Sequence, residues 1–112
     1  MLIHIVRSPA GQQTIDDMLQ ALGTYIKLAV DVRRGVLGGG GVMHADCEAA
    51  LLEDGSQQVD IWGADWDPSG RKLTFEALIN IRPRHGNPSM QIRNEEVREA
   101  VSRIVMRLLG DV

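Results

Sequence analysis

GVLGGGGVMHADCEAALLEDG, Gly35 to Gly55, is the stretch on which the reading of the whole chain turns. Four consecutive glycines, Gly38 to Gly41, run into a segment with helix-forming residues. Each glycine costs roughly 0.5–1 kcal/mol of backbone entropy against alanine in a regular element. The run is therefore read as a loop rather than as the interior of a strand or helix. Val42 to Glu53 is read as a helix on the propensity of its alanines and leucines, with Asp54-Gly55 as its exit. The competing reading of that segment is a strand turning at Asp54-Gly55, since Asp-Gly also marks hairpins.

Outward from this centre the patterns are clearer. Upstream, Leu2 to Val6 is a short apolar run of a buried strand, ended by Ser8-Pro9-Ala10-Gly11. Gln12 to Leu22 reads as a helix, with Ile15, Met18, Leu19 and Leu22 on one stripe and Gly23 at the position of a left-handed C-cap. Tyr25 to Val32 alternates, with Ile26, Leu28, Val30 and Val32 on one face. Strand, helix, strand over this span is compatible with a parallel βαβ unit. Downstream, Val59 to Trp66 and Lys72 to Arg82 read as two strands joined by the turn Asp67-Pro68-Ser69-Gly70. Pro83 to Gln91 is a loop. Asn94 caps a last helix, Glu95 to Leu109, with an apolar stripe, acids at its start and arginines near its end. The expectation is one α+β domain over residues 1–112, in the order βαβαββα, its mixed sheet covered by helices on one main face.

Composition narrows the classes of function. The 112 residues carry a formal net charge of −3, against the clustered basic charge that phosphate contacts need, so nucleic acid is not an expected partner. The charge is uneven: seven acids and no Lys or Arg from Gly41 to Asp67, then three Arg and no acid from Ile79 to Arg93. The single cysteine, Cys47, excludes an intrachain disulfide. No apolar run approaches the ~18 residues of a membrane span, and the first residues lack a signal-peptide pattern. A cytoplasmic protein with no membrane partner is expected.

The candidate chemistry sits at the start of the Val42–Glu53 helix. His44, Cys47 and Glu48 stand at i, i+3 and i+4, on one face, with Asp46 pointing elsewhere. Imidazole, thiolate and carboxylate together suit zinc, though the spacing matches no zinc signature, and no residue is assigned as a metal ligand. A cysteine near a helix N-terminus beside a histidine also suits a nucleophile, with Asp46 and Glu48 as general acid or base candidates. A buried, packing cysteine is the plainer alternative. Gly39, Gly40 and Gly41 would offer backbone amides to an anion, and Asn80 and Arg82, two apart on one strand, would steady it. A third reading pairs the acids Asp46, Glu48, Asp60 and Asp65 with Arg33, Arg34, Arg82 and Arg84, within a chain or between chains. Trp62 and Trp66 share a strand face and are read as an oligomer contact, since Trp is enriched at interface cores.

GGGxMHADCE, LLEDGSxQ, WGADW and LINIRPRxxN, at Gly39–Glu48, Leu51–Gln58, Trp62–Trp66 and Leu78–Asn87, resemble a family of small bacterial proteins known as domain of unknown function 5674. The resemblance spans nearly the whole chain. It implies a compact mixed α and β domain and assigns no activity, cofactor or catalytic residue. The functional expectation is a homo-oligomer carrying a site for a small polar or anionic ligand. The alternatives are an interaction module without such a site, and a cysteine- or metal-dependent hydrolase. No cofactor is named.

Overall fold

The computed structural model describes residues 3–76 and 94–110. The chain is built around β2 (Ile26–Asp31), the strand whose alternation is plainest in the sequence. β2 pairs antiparallel with β3 (Val36–Gly41) on one side and β4 (Ile61–Asp67) on the other. β1 (His4–Val6) closes the sheet beyond β3, and β5 (Lys72–Glu76) beyond β4, giving the order β1-β3-β2-β4-β5. All neighbouring pairs are antiparallel, so the α+β class holds while the expected mixed sheet is an antiparallel one.

Three helices complete the described residues: α1 (Gln12–Leu19), α2 (His44–Glu53) and α3 (Glu95–Leu109). β1 and β2 run the same way, joined through α1, but β3 lies between them. β3 and β4 likewise run the same way, joined through α2, with β2 between them. The expected βαβ unit is therefore present in split form, and a second one interleaves with it. The two units point in opposite directions. Crossovers of one common hand then carry their helices to opposite faces of the sheet.

The two cores show this arrangement. Ile26, Leu28 and Val30 of β2 pack with Ile15 and Met18 of α1 and with Val101, Val105 and Leu108 of α3. Ala29 of β2 packs with Val36, Ile61, Cys47 and Leu51 on the other face, under α2. Helices thus cover both faces, where one main face was expected. The period-two alternation of β2 assigns each of its residues to one core or the other.

The principal departure is β3. Val36 to Gly41 is a fully buried strand in the middle of the sheet, not a loop. Its glycines fit there because the Met18 side chain of α1 and the backbone of α2 at Cys47 approach it from opposite sides, a recognised use of strand glycine. A Cβ at Gly39 would stand 2.8 Å from Leu28 Cδ2 and 3.0 Å from Met18 Sδ. A Cβ at Gly38 would stand 3.1 Å from the backbone oxygen of Cys47. Gly40 is the extra residue of a β-bulge, since Leu28 opposes Gly39 while Lys27 opposes Gly41. Its φ of +102° lies where L side chains are strained. The bulge turns Gly41 to the α2 face, beside Asp46 and Cys47.

At the far end of the sheet the β2–β3 turn is locked by polar contacts. Asp31, fully buried, accepts from the Arg33 and Arg34 amides through Oδ1, at 2.9 Å each. Arg34 donates to Ser56 Oγ at 2.7 Å and to Asp54 Oδ2 at 2.8 Å, fastening the turn to the exit of α2. Arg7 joins the same Asp54 carboxylate, and Arg33 pairs with Asp60 at 2.9 Å. Arg33 with Asp60 is one of the pairs considered, here within one chain, and Asp54 is an acid outside that set; Arg82 and Arg84 lie outside the described residues. Arg34, by its hydrogen bond, and then Arg7 hold the Asp54 carboxyl below its ordinary value of 3.8. A carboxyl depressed on folding contributes its stability above the unfolded value and loses it as pH falls through the folded one. Asp54→Asn is therefore expected to flatten the loss of stability below about pH 4. Urea midpoints measured against pH for both proteins check this.

α3 follows its sequence signals. Asn94 Oδ1 accepts from the amides of Glu96 (2.9 Å) and Val97 (3.2 Å). Glu95 and Glu96 lie in the first turn and Arg107 in the last, where each complements the helix dipole. Among the described residues no helix is long and apolar enough to cross a membrane.

Candidate functional site

α2 starts where β3 ends, so its first turn is placed by a strand held on both sides. Asp46, the third helical residue, accepts from the Met43 amide at 3.1 Å and satisfies an otherwise open donor at the helix start. Its carboxylate is a capping group.

His44, Cys47 and Leu51 form the inner face of the helix. His44 is 5% exposed, and its Nε2 lies 2.9 Å from Asp65 Oδ1 and 3.3 Å from the Ala64 carbonyl oxygen on β4. With Nε2 protonated the ring donates to both, pinning α2 to the sheet. Cys47 is fully buried and donates to the Lys27 carbonyl oxygen at 3.3 Å. Burial pushes its thiol up to about 11. That is the opposite of the depression that a nucleophilic cysteine needs. Glu48 is half-buried and accepts from Gln58 Nε2 at 3.4 Å. Residues adjacent in helical spacing thus turn to three different partners. Among the described residues no group of three or more His, Cys, Asp or Glu is placed to hold a metal ion.

A direct check on Cys47 follows from its burial. At pH 8 a thiol of this kind is thiolate to roughly one part in a thousand. Labelling of the native protein by a disulfide reagent is expected to run at the rate of local or global opening and to become immediate in denaturant. Fast native labelling at pH 8 would contradict the packing role.

The anion cradle was expected of Gly39, Gly40 and Gly41, which lie in the buried strand β3. A Cβ at Gly39 would meet Leu28, Met18 and Ile26, and one at Gly41 would meet Asp46, Cys47 and Met43. Asn80 and Arg82 lie outside the described residues. Trp62 and Trp66 do share a face, with Ala64 between them, but that face is the core beneath α1 and α3. At 5% and 1% exposure they cannot meet a second protein, which corrects the interface reading.

The surface of α2 that remains open is of a different kind. Ala45, Ala49 and Leu52, at i, i+4 and i+7, face solvent as one stripe opposite His44, Cys47 and Leu51. Val42 and Met43, just before the helix, are 49% and 60% exposed. Leu52 is 40% exposed, and Val59, in the 3-10 turn Gln58–Asp60 that follows, is 39%. Of the five large hydrophobics exposed among the described residues, these are four, so exposure is concentrated around one helix. At 100° per residue Glu48 borders the stripe on one side, and Asp46 and Glu53 on the other. Sequence reasoning missed this surface because attention went to the polar residues of the helix. The signal was available: Ala45, Ala49 and Leu52 fall on a second side of α2 besides the face of Cys47 and Leu51, which a helix buried on one side does not require.

Searches of curated proteins and of solved structures find no match. A family model does match, over residues 4–108, and the chain belongs to that family, described as protein of unknown function (DUF5674).

Proposed function

We propose that this chain is a protein-interaction module that receives an amphipathic helix of a partner protein on the outer face of α2. The observation that carries the reading is the exposed stripe Ala45–Ala49–Leu52, together with the exposed Val42, Met43 and Val59 in the segments before and after the helix. Exposed apolar residues scattered singly need no explanation, whereas a contiguous patch with a polar border marks an interaction surface. The alanines keep the centre of the stripe shallow, so a partner backbone can approach closely. Leu52 stands at one end of the stripe as an anchor. This is the geometry of helix recognition by an apolar face.

The expected homo-oligomer and small-ligand site draw less support from the same geometry. Two copies joined through α2 would bring Asp46, Glu48 and Glu53 of one against those of the other. Of the glycines expected to cradle a ligand, Gly39 and Gly41 have side chains of their own chain close against them.

The test uses a synthetic helical peptide of roughly 18 residues, about five turns, with leucines on one face and uncharged polar residues on the other. Titrated into the labelled protein, it is expected to shift the amide signals of Val42 to Leu52 and Val59. Leu52→Glu is expected to abolish the shifts and leave the free energy of unfolding in urea within about 0.5 kcal/mol, the usual scale for an exposed position. Shifts spread over β4 and β5 instead, or none up to the solubility limit of the peptide, would overturn the reading.

A further inference from the structure

The exit of α2 carries the one Asp-Gly or Asn-Gly pair of the chain, Asp54-Gly55. Glycine has no Cβ to hinder its own amide, so in such a pair a main-chain nitrogen most readily attacks the preceding side-chain carboxyl. We propose that Asp54-Gly55 is a covalent modification site, a latent isoaspartate held closed by Arg7 and Arg34. In the reaction the Gly55 nitrogen bonds to Asp54 Cγ. The hydroxyl of the protonated carboxyl leaves with the amide proton as water, and a five-membered imide forms. Water then opens the imide at either carbonyl, returning aspartate or giving isoaspartate, whose main chain runs through the former side chain. No oxidant or other co-reactant enters.

The native structure engages both reacting groups. Arg34 donates to Asp54 Oδ2 at 2.8 Å and Arg7 donates to Oδ1, which favours the ionised carboxylate, the form with no hydroxyl to lose. The Gly55 amide donates to the Leu52 carbonyl oxygen at 3.2 Å. Beyond its chain neighbours no atom stands within 4 Å of where a Cβ on Gly55 would lie, so polar contacts rather than packing form the guard. Rearrangement lengthens the main chain by a methylene and leaves the free carboxylate on Cα. It then no longer reaches both guanidiniums, and the fastening of the β2–β3 turn to α2 is lost. An opening of this end that is followed by rearrangement is therefore not reversed.

The experiment incubates the full chain at neutral pH and body temperature for several weeks. Its peptides are then mapped for isoaspartate at position 54, a change of retention at unchanged mass. The native protein is expected to rearrange about ten-fold more slowly than the chain held unfolded in guanidinium chloride, because the reaction must await local opening. The double variant Arg7→Gln, Arg34→Gln is expected to rearrange several-fold faster than the native protein while still showing a folded baseline in urea. Arg7→Gln alone leaves the Arg34 contacts with Asp54 and Ser56 in place. It is expected to give an intermediate rate, and it carries the test if the double variant does not fold. Gly39→Ala, a change in the core away from the exit of α2, is expected to rearrange at close to the native rate. Equal rates for the folded and unfolded chains would overturn the proposal. So would arginine variants that rearrange no faster than the native protein. A Gly39→Ala protein as fast as the arginine variants would also overturn it, since overall stability and not the clamp would then set the rate.

Discussion

Gly41→Val is expected to destabilise the protein by about 3 kcal/mol, at the upper end of the range for overpacked interiors. A Cβ on Gly41 would stand 2.9 Å from Asp46 Cβ, 3.2 Å from Cys47 Sγ and 3.2 Å from the Met43 carbonyl oxygen. None of these can swing aside. The Met43 carbonyl is itself engaged, accepting from the Asp46 amide at 3.0 Å. Asp46 Cβ rides on the helix backbone, and the Cys47 thiol is tied to Lys27. Relief therefore requires the first turn of α2 to lift from the sheet, which loosens the contact of His44 with Asp65 as well. Gly39→Ala makes a useful comparison. Its neighbours are the tips of Leu28 and Met18, and methionine repacks readily, so about 1–2 kcal/mol is expected. Urea unfolding measures both, as a lowered midpoint with unchanged slope. A flexible loop would accept alanine or valine at either position with little change, so equal stability of all three proteins would contradict a buried β3.

The same stretch explains what the sequence did and did not disclose. β2 and α3 were legible because each carries its own code: alternation through Ile26, Leu28 and Val30, and an Asn94 cap followed by a helical stripe ending in Arg107. β3 carries no such code over its last four positions. Glycine has no side chain to alternate and little intrinsic preference for a strand, so the identity of Gly38 to Gly41 as a strand is a property of its neighbours. β1 and β2 supply its hydrogen bonds, and two helices supply its close contacts. The βαβ unit was read correctly in direction but not in adjacency, because the inserted strand was the one with no pattern. Two-sided coverage of the sheet followed from the same omission, since the second crossover was not recognised. In α2 the spacing put His44, Cys47 and Glu48 near one another. It did not say which side of the helix faces inward, because Ala45, Ala49 and Ala50 fit either side.

Trp66 puts the core assignment to its hardest test. Trp66→Ala is expected to cost about 3–5 kcal/mol, the range for removing a large aromatic from a packed interior. Trp66 is 1% exposed, lies opposite Ile26 on β2, and packs in the core that α1 and α3 close. Nothing in that core can collapse into the space, since β2 and β4 are hydrogen-bonded strands and Leu28 already contacts the Gly39 backbone. A surface tryptophan serving an oligomer contact would behave in the opposite way, with monomer stability unchanged. Trp66→Phe separates the contributions further. The indole Nε1 is buried and has no hydrogen-bond partner among the described residues. An unsatisfied buried donor costs about 1–3 kcal/mol, and phenylalanine removes it together with part of the apolar area. The two changes oppose each other, so a net loss of about 1 kcal/mol is expected, well below that of the alanine variant. Thermal or urea unfolding of the three proteins, with Trp62 as the remaining fluorophore, decides between a ring held for its volume and one held for its N–H. A phenylalanine variant as damaged as the alanine one would show that the indole nitrogen is bonded after all.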